Sequence, residues 1–209
     1  MKKENNKPSH SNLKGVLIIT AVIFVISNII DIPLHHHKLQ GNAVGIVGLE
    51  FAGSYNTFRL ILDTWGPSGA IWAAISLSFD FLFIIAYVTA FHMSCLHFNE
   101  RLQAHGLLKL AKFAILFSYA IFLAGVSDII ENILLIHALV DFTSMIHTLS
   151  DILNNSKITV LDNLIFYASL SAMFKFIIIC SLIIFISIAY FCIAIHDRQA
   201  KKNQARVNA

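Results

Sequence analysis

The run FIIICSLIIFISIAYFCIAI, residues 176–195, decides the class of fold. Twenty residues pass without a single charge. A helix rising 1.5 Å per residue needs about 20 such residues to cross the hydrocarbon core of a bilayer. The rest of the chain agrees: only 13% of its 209 residues are charged, where a soluble domain carries about 25%. A mean hydropathy of +0.73 points the same way.

Working outward from that run, three more apolar blocks of membrane length appear. They are GVLIITAVIFVISNIIDIP (15–33), a block over about 70–91, and one over about 108–139; the fourth span lies within 164–195. Lys2, Lys3, Lys7 and Lys14 precede the first block, as in a signal peptide. No small-residue cleavage site follows it, so an uncleaved helix is expected. The expected fold is all-α: a polytopic membrane protein with a four-transmembrane-helix bundle. Residues 15–196 form its single membrane domain, with basic tails at 1–14 and 197–209.

Lys and Arg set the expected orientation. Both tails and the turn between the second and third spans (Arg101, Lys109, Lys112) are rich in them. The other side carries only Lys38, Arg59 and Lys157. Both termini are therefore expected in the cytoplasm. Basic tails of this kind suit an anionic inner leaflet rather than nucleic acid.

Each outer loop carries a helical stripe. Phe58, Ile61, Leu62 and Trp65 follow i, i+3, i+4, i+7 spacing, with Ser54 placed to cap the helix and Gly66-Pro67 to stop it. Phe142, Met145, Ile146 and Leu149, extended by Ile152 and Leu153, repeat the pattern. Two short amphipathic helices lying over the outer side of the bundle are expected.

The stretch AGVSDIIENILLI (124–136) raises the functional question, because Asp128, Glu131 and Asn132 stand inside the third span. Their i, i+3, i+4 spacing puts them on one face, continued by Ser118 and Gly125. Asp128 and Glu131 lie roughly 5 and 9 Å outward from Gly125 at 1.5 Å per residue. Asn28 and Asp31 share a face of the first span. Ser76, Asp80 and Tyr87 share a face of the second, and Lys175 begins the apolar core of the fourth. A charge facing lipid costs about 3 kcal/mol on insertion scales, so these groups should turn inward and meet. The expected result is one polar interior open to the outer side, with Lys175 as a charge partner. A carboxylate and amide lining suits a hard cation such as Mg²⁺ or Ca²⁺, or retained protons.

His35, His36 and His37 allow one imidazole to join Asp31 and Glu50 in a metal site, although adjacent residues on a helix point in different directions. His92, His97 and His105 lie on the opposite side. The chain has no HExxH or ExxH pair, no GxSxG, no phosphate-binding glycine loop and no dinucleotide fingerprint. Cys95, Cys180 and Cys192 form no framework. No cofactor is evident beyond a divalent cation, and no residue is assignable as catalytic.

The order of LEFAG (49–53), Trp65-Gly66, FDFLF (79–83) with Tyr87, and DIIEN (128–132) resembles a group of bacterial four-helix integral membrane proteins of unsettled function. The resemblance covers Leu49 to Ile136. It implies a bacterial inner-membrane location and singles out Glu50, Trp65, Asp80, Tyr87, Asp128, Glu131 and Asn132. It implies no reaction. Three functions stay open. The first is binding or translocation of a small cation or proton-coupled solute through the carboxylates. The second is a membrane enzyme with a carboxylate acid or base, although Ser127 and Tyr87 offer only ordinary hydroxyls beside it. The third is an accessory or assembly protein with a structural polar network. Partners beyond the bilayer and a small solute are not indicated.

Overall fold

The computed structural model describes residues 10–36, 38–39, 42–146 and 155–207. The chain is an all-α four-helix membrane bundle. Its elements are α1 (His10–His35), a two-residue antiparallel ladder of β1 (Lys38–Leu39) and β2 (Asn42–Ala43), α2 (Ile46–Glu50), α3 (Tyr55–Ala104), α4 (Leu108–Ile146) and α5 (Asn155–Val207). Among the described residues, α1, α3, α4 and α5 are each long and apolar enough to cross a membrane.

The helices overrun their apolar blocks. The 39 residues of α4 span about 58 Å, nearly twice the hydrocarbon thickness. At the 139 edge of its block nothing breaks α4, so its backbone bonds continue to Ile146. The expected tail at 197–209 accordingly begins as the exposed end of α5, and α1 starts at His10, ahead of residue 15.

The stripe at Phe58, Ile61, Leu62 and Trp65 is buried and faces the bundle. Ser54 caps it by accepting from the Thr57 amide at 3.4 Å. Gly66, at φ 67° and ψ −174°, is non-helical: the amphipathic helix stops there, as expected, and a second helix starts at once from Pro67. The amphipathic helix and the second span are thus two helices joined directly at a kink, the two halves of α3. The second stripe differs from expectation in its described part. Phe142 belongs to the continuing α4 and meets the Phe58 ring edge-on at 6.2 Å. Leu149, Ile152 and Leu153 lie outside the described residues.

Helix contacts follow heptad-like stripes. On α4 the buried line runs Ala114, Ser118, Ile121, Gly125, Asp128, Asn132, Leu135 and Leu139. On α5 it runs Leu161, Ile165, Ala168, Ala172, Lys175 and Leu182. Small residues recur because lipid tails supply no hydrophobic drive between helices, and close backbone approach must do so instead. At Gly125 an added Cβ would sit 2.7 Å from Val88 Cγ2 of α3.

Packing divides the core into two apolar clusters. One lies on the loop side, around Leu34, Leu49, Trp65, Leu77, Leu135 and Leu161. The other lies on the side of both termini, around Ile84, Cys95, Leu102, Ile121, Leu182 and Ile193. There Arg101 and His105 each reach Asp197 at 3.2 Å, tying α3 to α5. The intramembrane acids occupy the layer between the clusters. α1 stands apart, packed chiefly on α3 through Thr20–Ala86, Phe24–Phe83 and Asp31–Ser76.

Candidate functional site: a buried acid–lysine layer

α4 supplies Asp128, Glu131 and Asn132 from one face, as their spacing requires. α5 supplies Lys175 from its buried stripe. Lys175 Nζ lies 2.7 Å from Asp128 Oδ1, 2.9 Å from Glu131 Oε2 and 3.4 Å from Glu50 Oε2. The lysine is only 5% exposed and Glu131 not at all. Lys175 therefore does not mark the outer boundary of its span; it sits deep in the bundle, in the place between three carboxylates that a bound cation would take.

α3 completes the layer. The Tyr87 hydroxyl donates to Asp128 Oδ2 at 2.9 Å. Half-buried Asp80 does not touch the lysine; it accepts from Asn132 Nδ2 at 2.7 Å. Asp31 of α1 accepts from Ser76 at 2.6 Å, toward the loop side. Asn28 is not part of the assembly. It lies one position off the stripe by which α1 meets α3, is exposed, and donates to its own Phe24 carbonyl at 2.7 Å.

Glu50 arrives by a different route from the one its loop position suggests. It does not join Asp31 and a histidine. The α2 segment tucks beneath the amphipathic half of α3, where Trp65 Nε1 donates to the Val44 carbonyl at 3.0 Å. The His35 ring fills the space over Gly45, where a Cβ would lie 2.4 Å from it. His36 is exposed, and His37 lies outside the described residues. At the other end of α2, Ser169 of α5 donates to the Glu50 carbonyl at 2.8 Å and accepts from the Gly53 amide at 2.9 Å. Gly53, at φ 66°, makes the turn that presents that amide. Asp162 accepts from the Tyr55 amide at 2.6 Å just beyond. These three bonds hold the Glu50 side chain down into the layer. Ser169 and Asp162 have no signal in the sequence beyond ordinary helix polarity. Lys175 does: it stands on the stripe of Ala168 and Ala172, where a lipid-facing or snorkelling lysine would not.

Glu50, Asp128 and Glu131 are closed in, rather than lining a cavity open to the outer side. The loop-side apolar cluster and α2 cover them. A groove of about 540 Å³ opens elsewhere, beside the Gly66 bend, walled by Leu62, Pro67, Leu139 and Phe142. No family model, curated protein or solved structure matches the chain. The geometry alone therefore carries the reading.

Charge does not balance in this layer. Glu50, Asp80, Asp128 and Glu131 face one lysine, which leaves three negative charges in excess if all ionise. The unpaired atoms have one chemical character. Glu50 Oε2, both Glu131 oxygens and Asn132 Oδ1 are buried without a hydrogen-bond partner. The ion-pair distances from Lys175 to Glu131 and Glu50 lack hydrogen-bond alignment. All four atoms are acceptors, so what completes them must be a donor or a cation. Burial pushes the Glu50 carboxyl above its ordinary range; Lys175 pulls it back and Asp128 adds to the rise. Among the described residues no three His, Cys, Asp or Glu donors are grouped to hold a metal ion. The nearby hydroxyls are engaged, Ser127 with Ser171 at 2.9 Å and Tyr87 with Asp128.

Proposed function

We propose that the protein binds or translocates a small cation or a proton-coupled solute through the acid–lysine layer, in a bacterial inner membrane with both termini in the cytoplasm. The observation that carries this reading is the set of buried acceptors left over after Lys175 has been shared. An isolated buried charge is strongly unfavourable, so a layer with excess carboxylate must take up positive charge. The unpaired oxygens of Glu131 and Asn132 are where it would bind, since the ammonium already fills the space between the carboxylates. The orientation rests on the lysine and arginine distribution, and the bacterial location on the family resemblance.

A structural role is the second reading, favoured by the three ion pairs on Lys175. Thermal melting in detergent separates the two. It is measured with Mg²⁺, Ca²⁺, Mn²⁺ or chelator, at several pH values, on wild type and on a variant carrying Asp128→Asn and Glu131→Gln. A ligand that binds only the folded state raises its stability. Ion- or proton-dependent stabilisation should be present in wild type and lost in the double variant, and proteoliposomes should show a matching flux. A wild type indifferent to every ion, with the same pH response as the variant and no flux, leaves the structural reading.

A further inference from the structure

Two of the layer's four acids differ from the others in how they are completed. Asp128 has both oxygens satisfied, one by Lys175 and one by Tyr87. Asp80 receives Asn132. Glu131 accepts no hydrogen bond at either oxygen, and Glu50 has an unsatisfied Oε2. These two carboxyl groups crowd the same ammonium, Glu131 Oε2 at 2.9 Å and Glu50 Oε2 at 3.4 Å from Lys175 Nζ, which keeps the two oxygens close together. Two carboxylates at that distance, both closed off from water, cannot stay ionised together. As bare anions they have no donor to offer each other. One added proton changes this: a carboxyl on one residue donates to a carboxylate on the other, as in paired acids that share a proton.

We infer that Glu50 and Glu131 together hold one exchangeable proton beside Lys175, forming a proton-binding site between the α2 segment and α4. The inference rests on the reading of the layer as a place where positive charge is taken up, and it names that charge. One O–H bond forms on one carboxylate, the proton coming from water, and the second carboxylate accepts from it; no other bond changes. The charged groups that face the pair are Lys175 from α5, Asp128 from α4 and, further off, Asp80 from α3. With the proton in place, the ammonium balances Asp128 while the pair carries a single negative charge.

Infrared difference spectroscopy on the full chain in detergent tests the inference. Wild type at neutral pH should show the carbonyl stretch of a protonated carboxyl, moving to lower frequency in deuterated water. The band should be lost in Glu50→Gln and equally in Glu131→Gln, because either change leaves one carboxylate beside Lys175 with no partner for the proton. It should persist in Asp128→Asn. A wild type without the band, a band kept in either glutamine variant, or a band lost only in Asp80→Asn overturns the shared proton. Should the glutamine variants fail to fold, Glu50→Asp and Glu131→Asp keep the carboxyl and move it; each should shift the band, and a band indifferent to both overturns the inference. A band that behaves as expected in a protein with no flux in proteoliposomes would refute the transport reading and leave the proton site standing. Flux without the band would do the reverse.

Discussion

Lys175 takes a step on α5 that Ala or Leu occupies above and below it, and the consequences can be measured residue by residue. Replacing a whole buried ion network with apolar groups is often neutral, whereas removing one partner strands the others. Lys175→Met strands three carboxylates around an apolar side chain. It should cost about 3–5 kcal/mol of stability at neutral pH, and less in acid, where the carboxylates protonate. Glu131→Gln acts in the opposite sense: it keeps size and removes one charge from an excess, so stability should be unchanged or higher. Melting of both variants in detergent checks the pair, and equal losses would contradict a layer with surplus negative charge. Glu50 adds a pH dependence. Its carboxyl is raised in the folded state, so its contribution to stability is complete below the unfolded value and is lost as pH rises through the folded one. The wild-type melting temperature should therefore fall with rising pH over that window. Glu50→Gln should flatten the fall.

At the level of the element, the bend in α3 shows what pattern reading captures and where it stops. The apolar spacing of Phe58 to Trp65, the Ser54 cap and the break at Gly66-Pro67 were all legible, because each is a local property of the chain. The absence of any loop at that break was not, since a glycine that ends one helix and a proline at the first position of the next do not say how many residues separate the two. Gly66 lies at a φ and ψ that only glycine adopts without strain. An added Cβ would meet nothing within 4 Å, so any cost is in the backbone rather than in a clash. Gly66→Ala should destabilise by about 1–3 kcal/mol and loosen the amphipathic half of α3 from the bundle. Increased proteolysis near Tyr55 and a lower melting temperature would report it. Pro67→Ala, at an exposed position that needs no amide donor, should have a much smaller effect. A neutral Gly66→Ala would mean that the bend is not imposed by the backbone.

Across the whole molecule, what was legible depended on periodicity, and what was not depended on distance along the chain. Span number and the inward turn of Asp128, Glu131 and Asn132 follow from one helix at a time. The seating of Glu50 on Lys175 and of α2 on Ser169 joins segments more than 100 residues apart, and no spacing rule reaches that far. The lateral position of α1 is likewise a matter of which helix it meets, so Asn28 and Asp31, neighbours on one face by sequence, end exposed and at Ser76 respectively. Orientation belongs to this scale as well, since it is set by charge summed over loops and tails. It can be tested with single cysteines in a background lacking Cys95, Cys180 and Cys192. Asn56 is exposed near the start of α3, on the loop side. Gln103 and Gln199 are exposed near the termini side, one at the end of α3 and one on the α5 extension. An impermeant thiol reagent should label Asn56→Cys in intact cells, and should label Gln103→Cys and Gln199→Cys only after permeabilisation. The opposite pattern would turn the protein over. It would then place Glu50 and its proton on the cytoplasmic side, and the layer would draw its charge from within the cell.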